Sequence, residues 1–178
     1  SGTLYRELLR VYPKSMPLYR HMEADGVPQG YDRWRRIGFV RHPIARLRSF
    51  YAFLNDAAAS NKVSARAQVS GKSFEGWLLT NDRVFTEPSQ SKSGWRPDLS
   101  RRDPSPENKR SQFSYLRPDL GTEIFKFEDL KHYLIQWGLD PDVVHNRVGI
   151  PQEPLSAEAE AHIKKYCYWD LAQGCEYL

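Results

Sequence analysis

The sequence predicts an α/β layer fold on three observations. Arg36-Ile-Gly-Phe-Val-Arg41 is a short apolar run broken by His42-Pro43, after which the spacing turns helical. Glu123-Ile-Phe-Lys-Phe127 alternates like a second strand and leads into Glu128-Asp129-Leu130, where another helix opens. Helical patterns alternate with these short apolar strands, and no internal repeat is visible.

The elements follow in order. Residues 3–12 carry Leu4, Leu8, Leu9 and Tyr12 at helical spacing, and Pro13 ends that helix. Prolines and glycines punctuate residues 13–31, around a short helix near Arg20 to Ala24. After the strand at 36–41, Pro43 suits a first helical turn. The helix from Ile44 to about Ala59 buries Leu47, Phe50, Tyr51 and Leu54 on one stripe. Small polar residues make 60–72 a loop. Residues 74–79 form a short helix with Trp77 and Leu78 inward, and 86–112 form a long irregular loop. Beyond the strand at 123–127, a helix runs to about Gly138, and residues 140–144 make another short helical turn. Residues 157–173 form the last helix, with Ile163, Tyr166, Cys167 and Leu171 as its apolar stripe.

Length and composition bound the function. The 178 residues suit a single domain over 1–178, and 13% aromatic residues supply a core that a disordered chain lacks. No run approaches the ~18 apolar residues of a membrane span. The N-terminal SGTLYRELLR has no leader pattern, and Cys167 and Cys175 are too few for a disulfide scaffold or a four-ligand zinc site. The two cysteines read as free, buried thiols, and the expected location is cytoplasmic.

Net charge is +4, but the basic residues are concentrated. Between Tyr31 and Tyr51 stand Arg33, Arg35, Arg36, Arg41, Arg46 and Arg48, against the single acid Asp32. Arginine's planar fork pairs with oxyanions, so the cluster favours phosphate, sulfate, nucleic acid or an acidic glycan. Ligands of open α/β sheets bind at the carboxyl ends of strands, where a following helix adds amide donors. Arg41 stands at such a point, with Arg46 and Ser49 further along the helix. A solvated basic helix face explains the same charges equally well.

The run Phe39-Val-Arg-His-Pro-Ile-Ala-Arg-Leu-Arg-Ser-Phe-Tyr51 resembles the 3′-phosphate-binding element of sulfotransferases, of the form Arg-x-Pro-x-x-Arg-x-x-Ser after a strand. Arg41, Pro43, Arg46 and Ser49 fit that spacing. The ending in Tyr51 is closest to the bacterial and carbohydrate branch. Gln112-Phe-Ser-Tyr-Leu116 is similar to the family's Gln-x-x-Tyr-Leu segment, and Phe125-Lys-Phe-Glu-Asp-Leu130 to its strand-to-helix element. His145-Asn146 falls where a His/Asn segment follows, and residues 163–170 resemble the terminal helix.

The resemblance implies a P-loop NTPase-like three-layer fold with a central, mostly parallel sheet. It implies 3′-phosphoadenosine 5′-phosphosulfate (PAPS) as cofactor and PAP as product. Ser1-Gly2-Thr3 matches the end of the family's lysine-bearing phosphosulfate loop, whose strand and lysine are expected upstream of Ser1 in a longer natural chain, the other reading being that the loop is lost. By resemblance, Ser1, Gly2 and Thr3 hold the 5′-phosphosulfate, and Arg41, Arg46 and Ser49 the 3′-phosphate. His21 and Glu23 are the candidates for the general base, a role for which neutral-range histidine chemistry suits His21, with a base elsewhere as the remaining alternative.

The implied reaction is in-line transfer of a sulfuryl group from PAPS to a hydroxyl of a sugar, glycolipid or small metabolite, without metal. The 86–112 loop is either solvated or an acceptor-binding lid in which Trp95 stacks on a ring beside Arg96. His132, His145 and His162 read as structural or exposed. The competing reading is a degenerate, non-catalytic module for anions or nucleic acid. Arginines gathered in one strand-turn-helix, rather than along a groove, count against nucleic acid. A P-loop kinase ranks lower still, because no Gly-x-x-x-x-Gly-Lys-Ser/Thr is present.

Overall fold

The computed structural model describes residues 2–15, 30, 33–80, 112–116, 118–143, 153–167 and 170–172. Their order is α1 (Gly2–Val11), β1 (Arg36–Val40), α2 (Pro43–Ala59), α3 (Val63–Val69), α4 (Phe74–Leu79), α5 (Gln112–Leu116), a 3-10 turn (Pro118–Leu120), β2 (Thr122–Lys126), α6 (Leu130–Gln136) and α7 (Ala157–Tyr166). Helices and a small parallel sheet mix along the chain, as an α/β class requires.

β1 and β2 pair in parallel, from Arg36 opposite Thr122 to Val40 opposite Lys126. Successive side chains of a strand point to opposite faces. Phe39 and Phe125 share one face, with ring centroids 6.0 Å apart. Phe125 then meets Tyr133 edge-on at 4.8 Å and Trp137 at 5.2 Å, so α6 covers this face. Leu8 and Val11 of α1 pack into the same cluster around Leu130, Leu134 and Leu139. On the other face, Gly38 leaves room for Leu116 of α5, whose Cδ2 would stand 2.5 Å from a Cβ at that position.

A larger core gathers α2, α3, α4 and α7. Leu47, Tyr51 and Leu54 meet Ala65, Val69, Phe74, Trp77, Leu78, Ala159, Ile163 and Cys167 there. Trp77 is completely buried, with Tyr51 5.5 Å away and Phe74 6.0 Å away between ring centroids. Burying a large apolar side chain contributes about 1.5–3 kcal/mol, so this cluster is the main stabilising unit described.

Helix ends follow local chemistry. Ser73 Oγ accepts from Gly76 N at 3.1 Å to cap α4, and Ser156 Oγ accepts from Ala159 N at 3.2 Å to cap α7. The Ser156 hydroxyl also donates to Glu75, joining the two helices at their starts. α6 is closed at Gly138, whose φ of +67° favours glycine. There Leu139 N donates to Leu134 O at 2.8 Å and Gly138 N to Ile135 O at 3.0 Å, a Schellman arrangement that also buries Leu139.

Four expectations are corrected. Residues 60–72 are not all loop: Val63–Val69 is helical because Ala65 and Val69 find buried places in the α2 core. Phe50 is 37% exposed rather than in the stripe. At about 100° per residue it sits at the edge of the Leu47–Tyr51–Leu54 face, where it stacks on Phe53 and meets Trp77 edge-on. Residues 140–143 make a turn held by Asp142 N on Asp140 Oδ1 (2.9 Å), not a helical segment. Gln112 is the first residue of α5 rather than the last of a loop.

The expected helix near 20–24, residues 86–111, His145-Asn146 and Cys175 lie outside the described residues. Among the described residues, no helix is long and apolar enough to cross a membrane.

Candidate functional site

The two strands end side by side, and their exits build the site. Phe127 N donates to Val40 O at 2.7 Å, carrying the pairing one step past β2. Arg41-His42 therefore leaves β1 beside Phe127-Glu128 leaving β2. The Arg41 guanidinium lies over the Phe127 ring, 5.1 Å from its centroid. His42 N donates to Glu128 Oε1 at 3.2 Å.

At the start of α2 the chain's own Glu128 carboxylate thus accepts the His42 N–H. A carboxylate is favourable at a helix N-terminus. The His42 side chain forms no cap hydrogen bond.

α5 closes the site from a third side. Gln112 Oε1 accepts from Arg41 N at 2.8 Å, and Gln112 Nε2 donates to Arg41 O at 2.7 Å. Asp170, past the end of α7, stands behind Gln112. Its Oδ1 accepts from Gln112 N at 2.7 Å, and its Oδ2 from Gln112 Nε2 at 3.3 Å. Arg46, one turn into α2, pairs with the same Oδ2 at 3.4 Å. The Asp170 side chain is 1% exposed, so protein groups rather than water satisfy it. Cys167 is packed nearby. Burial pushes its thiol up to about 11; Arg46 pulls the other way, and Asp170 pushes it further up.

The arginine cluster is thus divided. Arg35 clasps Glu123 through two bonds at 2.7 and 2.8 Å, which raises Arg35 and lowers Glu123 from their ordinary values. Arg36 donates to Leu120 O, and Arg48 to Glu153 O. Arg46 has Asp170. Among the described residues, the Arg41 guanidinium is held by a ring face and has no oxygen partner. Guanidinium N–H groups lie in the plane of the fork, and such a fork can pair with an oxyanion through two hydrogen bonds.

Ser49 lies one turn past Ala45 and Arg46 on α2 and is half-buried. Gly2 and Thr3 form the first turn of α1. Ser1, His21, Glu23, Trp95 and Arg96 lie outside the described residues. His132 is exposed beside Gln136, and His162 rests against Tyr166 at 4.8 Å. No group of three or more His, Cys, Asp or Glu side chains among the described residues is arranged to hold a metal.

Four residues of this arrangement do not stand out as site residues in the sequence: Gln112, Phe127, Glu128 and Asp170. Each falls within a segment that resembles the sulfotransferase pattern, so a signal is present. What sequence lacks is the contact, since Asp170 and Gln112 meet across 58 positions. Comparison with protein-family models, with curated proteins and with solved structures finds no match.

Proposed function

We propose that this chain is a PAPS-dependent sulfotransferase with a P-loop-like fold, which moves a sulfuryl group to a hydroxyl of a carbohydrate or small-molecule acceptor. The observation that carries the reading is Arg41. It stands where a parallel strand gives way to a helix, its main-chain N and O are both held by Gln112, and among the described residues its guanidinium has no oxygen partner. That donor set suits a phosphate monoester. Arg41 and Ser49 would hold the 3′-phosphate of PAPS. Arg46 has a different principal duty, since its charge balances Asp170.

Within the proposal, Ser1, Gly2 and Thr3 meet the 5′ end of the cofactor, His21 or Glu23 takes the acceptor proton, and Trp95 with Arg96 binds the acceptor. When bound, PAPS supplies an activated sulfuryl group whose transfer depends on positioning and charge stabilisation. Arg41 contributes to positioning, by holding the end of the cofactor that does not react.

Calorimetric titration with PAP on the wild type and Arg41→Ala tests the reading. Expected is PAP binding that weakens at least tenfold in the variant, in line with a charge-assisted contact of about 1.5–3 kcal/mol. PAP binding indifferent to Arg41→Ala would reject the site. Salt-sensitive binding of oligonucleotides without PAP binding would instead favour a non-catalytic anion-binding module.

A further inference from the structure

Resting on the reading of Arg41 as the oxyanion-holding group, we propose that Gln112 is the positioning residue that sets Arg41, and that the buried Asp170 carboxylate fixes Gln112. A residue just past the last rung of a strand has two soft backbone dihedrals and no ladder to hold them. Arg41 is such a residue. Gln112 supplies the missing rung: its side-chain amide accepts from Arg41 N at 2.8 Å and donates to Arg41 O at 2.7 Å. One side chain thus does for Arg41 what a residue of a neighbouring strand does for its partner.

The amide of a glutamine can be turned either way, and only one orientation makes both bonds. Asp170 selects it. Its Oδ2 lies 3.3 Å from Gln112 Nε2, a place only the NH2 end can occupy, while its Oδ1 takes the Gln112 main-chain N–H at 2.7 Å. The same Oδ2 holds Arg46 at 3.4 Å. The carboxylate therefore orders both arginines of the resembling motif, Arg46 directly and Arg41 through Gln112. Order at the backbone of Arg41 reduces what an anion must organise on binding.

The test is an NMR titration, which still reads weak binding, on the wild type, Gln112→Ala, Arg41→Ala and the double variant, with PAP and separately with inorganic pyrophosphate. Hydrogen exchange at the Arg41 amide is read from the same spectra. Gln112→Ala is expected to weaken PAP about tenfold and to speed Arg41 amide exchange by a similar factor. On the Arg41→Ala background, removing Gln112 should cost no further affinity, because its effect passes through Arg41.

The proposal is overturned by an unchanged affinity in Gln112→Ala, by a protected Arg41 amide in that variant, or by the same loss with and without Arg41. The pattern found with pyrophosphate but no PAP binding would uphold the positioning role and reject the PAPS reading. No Arg41-dependent binding of either probe would overturn both. Gln112→Met, similar in length and without hydrogen bonds, carries the same readouts should Gln112→Ala fail to fold.

Discussion

Cys167 shows how one residue reports on its surroundings. The residue is 3% exposed and its thiol lies near the Arg46–Asp170 pair. Burial, the larger influence, raises its pKa from the ordinary 9.0 to about 11. The folded state therefore favours the protonated thiol. Stability from this group is complete below pH 9.0 and is lost as the pH rises towards 11, because the unfolded chain gives up its proton first. A rise of that size corresponds to roughly 2–3 kcal/mol. Urea unfolding of wild type and Cys167→Ala between pH 8 and 11 should show the extra decline in the wild type alone; parallel declines would mean the thiol is not desolvated. The sequence already suggests a buried thiol, from its place on the apolar stripe of the last helix. It carries no sign of Asp170 beside it, because a buried carboxylate is tolerable only with partners that come from α2 and α5.

Among the elements, β1 is held by what it lacks as much as by what it pairs with. Gly38 faces Leu116 of α5, and an added Cβ would stand 2.5 Å from Leu116 Cδ2 and 3.0 Å from Cδ1. Gly38→Ala forces Leu116 to turn, while losing glycine's unfolded-state freedom gives back part of the cost. Gly38→Val adds two more methyl groups and should destabilise by about 2 kcal/mol. Combining it with Leu116→Ala should cost less than the two changes separately, measured by urea unfolding. Strict additivity would mean the strand and helix do not press on each other. The same residues also show what is legible in sequence. The run from Arg36 announces a strand by its apolar pattern, and Gly138 announces a helix end. α3 is hidden because Ser64, Arg66 and Gln68 look like loop residues. Only the α2 surface, which takes in Ala65 and Val69, makes a helix the better choice there.

Over the whole molecule, most buried apolar side chains among the described residues fall in two clusters that share no member, with Val40, Ala52 and Phe113 buried outside both. One joins α2, α3, α4 and α7 around Trp77; the other joins α1, the sheet and α6 around Leu134. Polar contacts at the ends of the strands lie beside both: Gln112 and Asp170 hold Arg41 and Arg46, and Arg41 rests on Phe127 of the second cluster. Leu134→Ala should cost about 2–5 kcal/mol and Ile163→Val about 0.5–1.5 kcal/mol, as both positions are at most 2% exposed. Because the two side chains have no partner in common, the double variant should lose the sum to within about 0.5 kcal/mol. A larger interaction energy would mean that one core senses the packing of the other through the strand pair. Arg41 would then answer to both clusters, and Leu134→Ala would weaken an anion held there by way of Phe127, which packs against the Leu134 cluster and lies under the Arg41 guanidinium. Additive losses, with PAP affinity unchanged in Leu134→Ala, would instead localise control of Arg41 to Gln112 and Asp170.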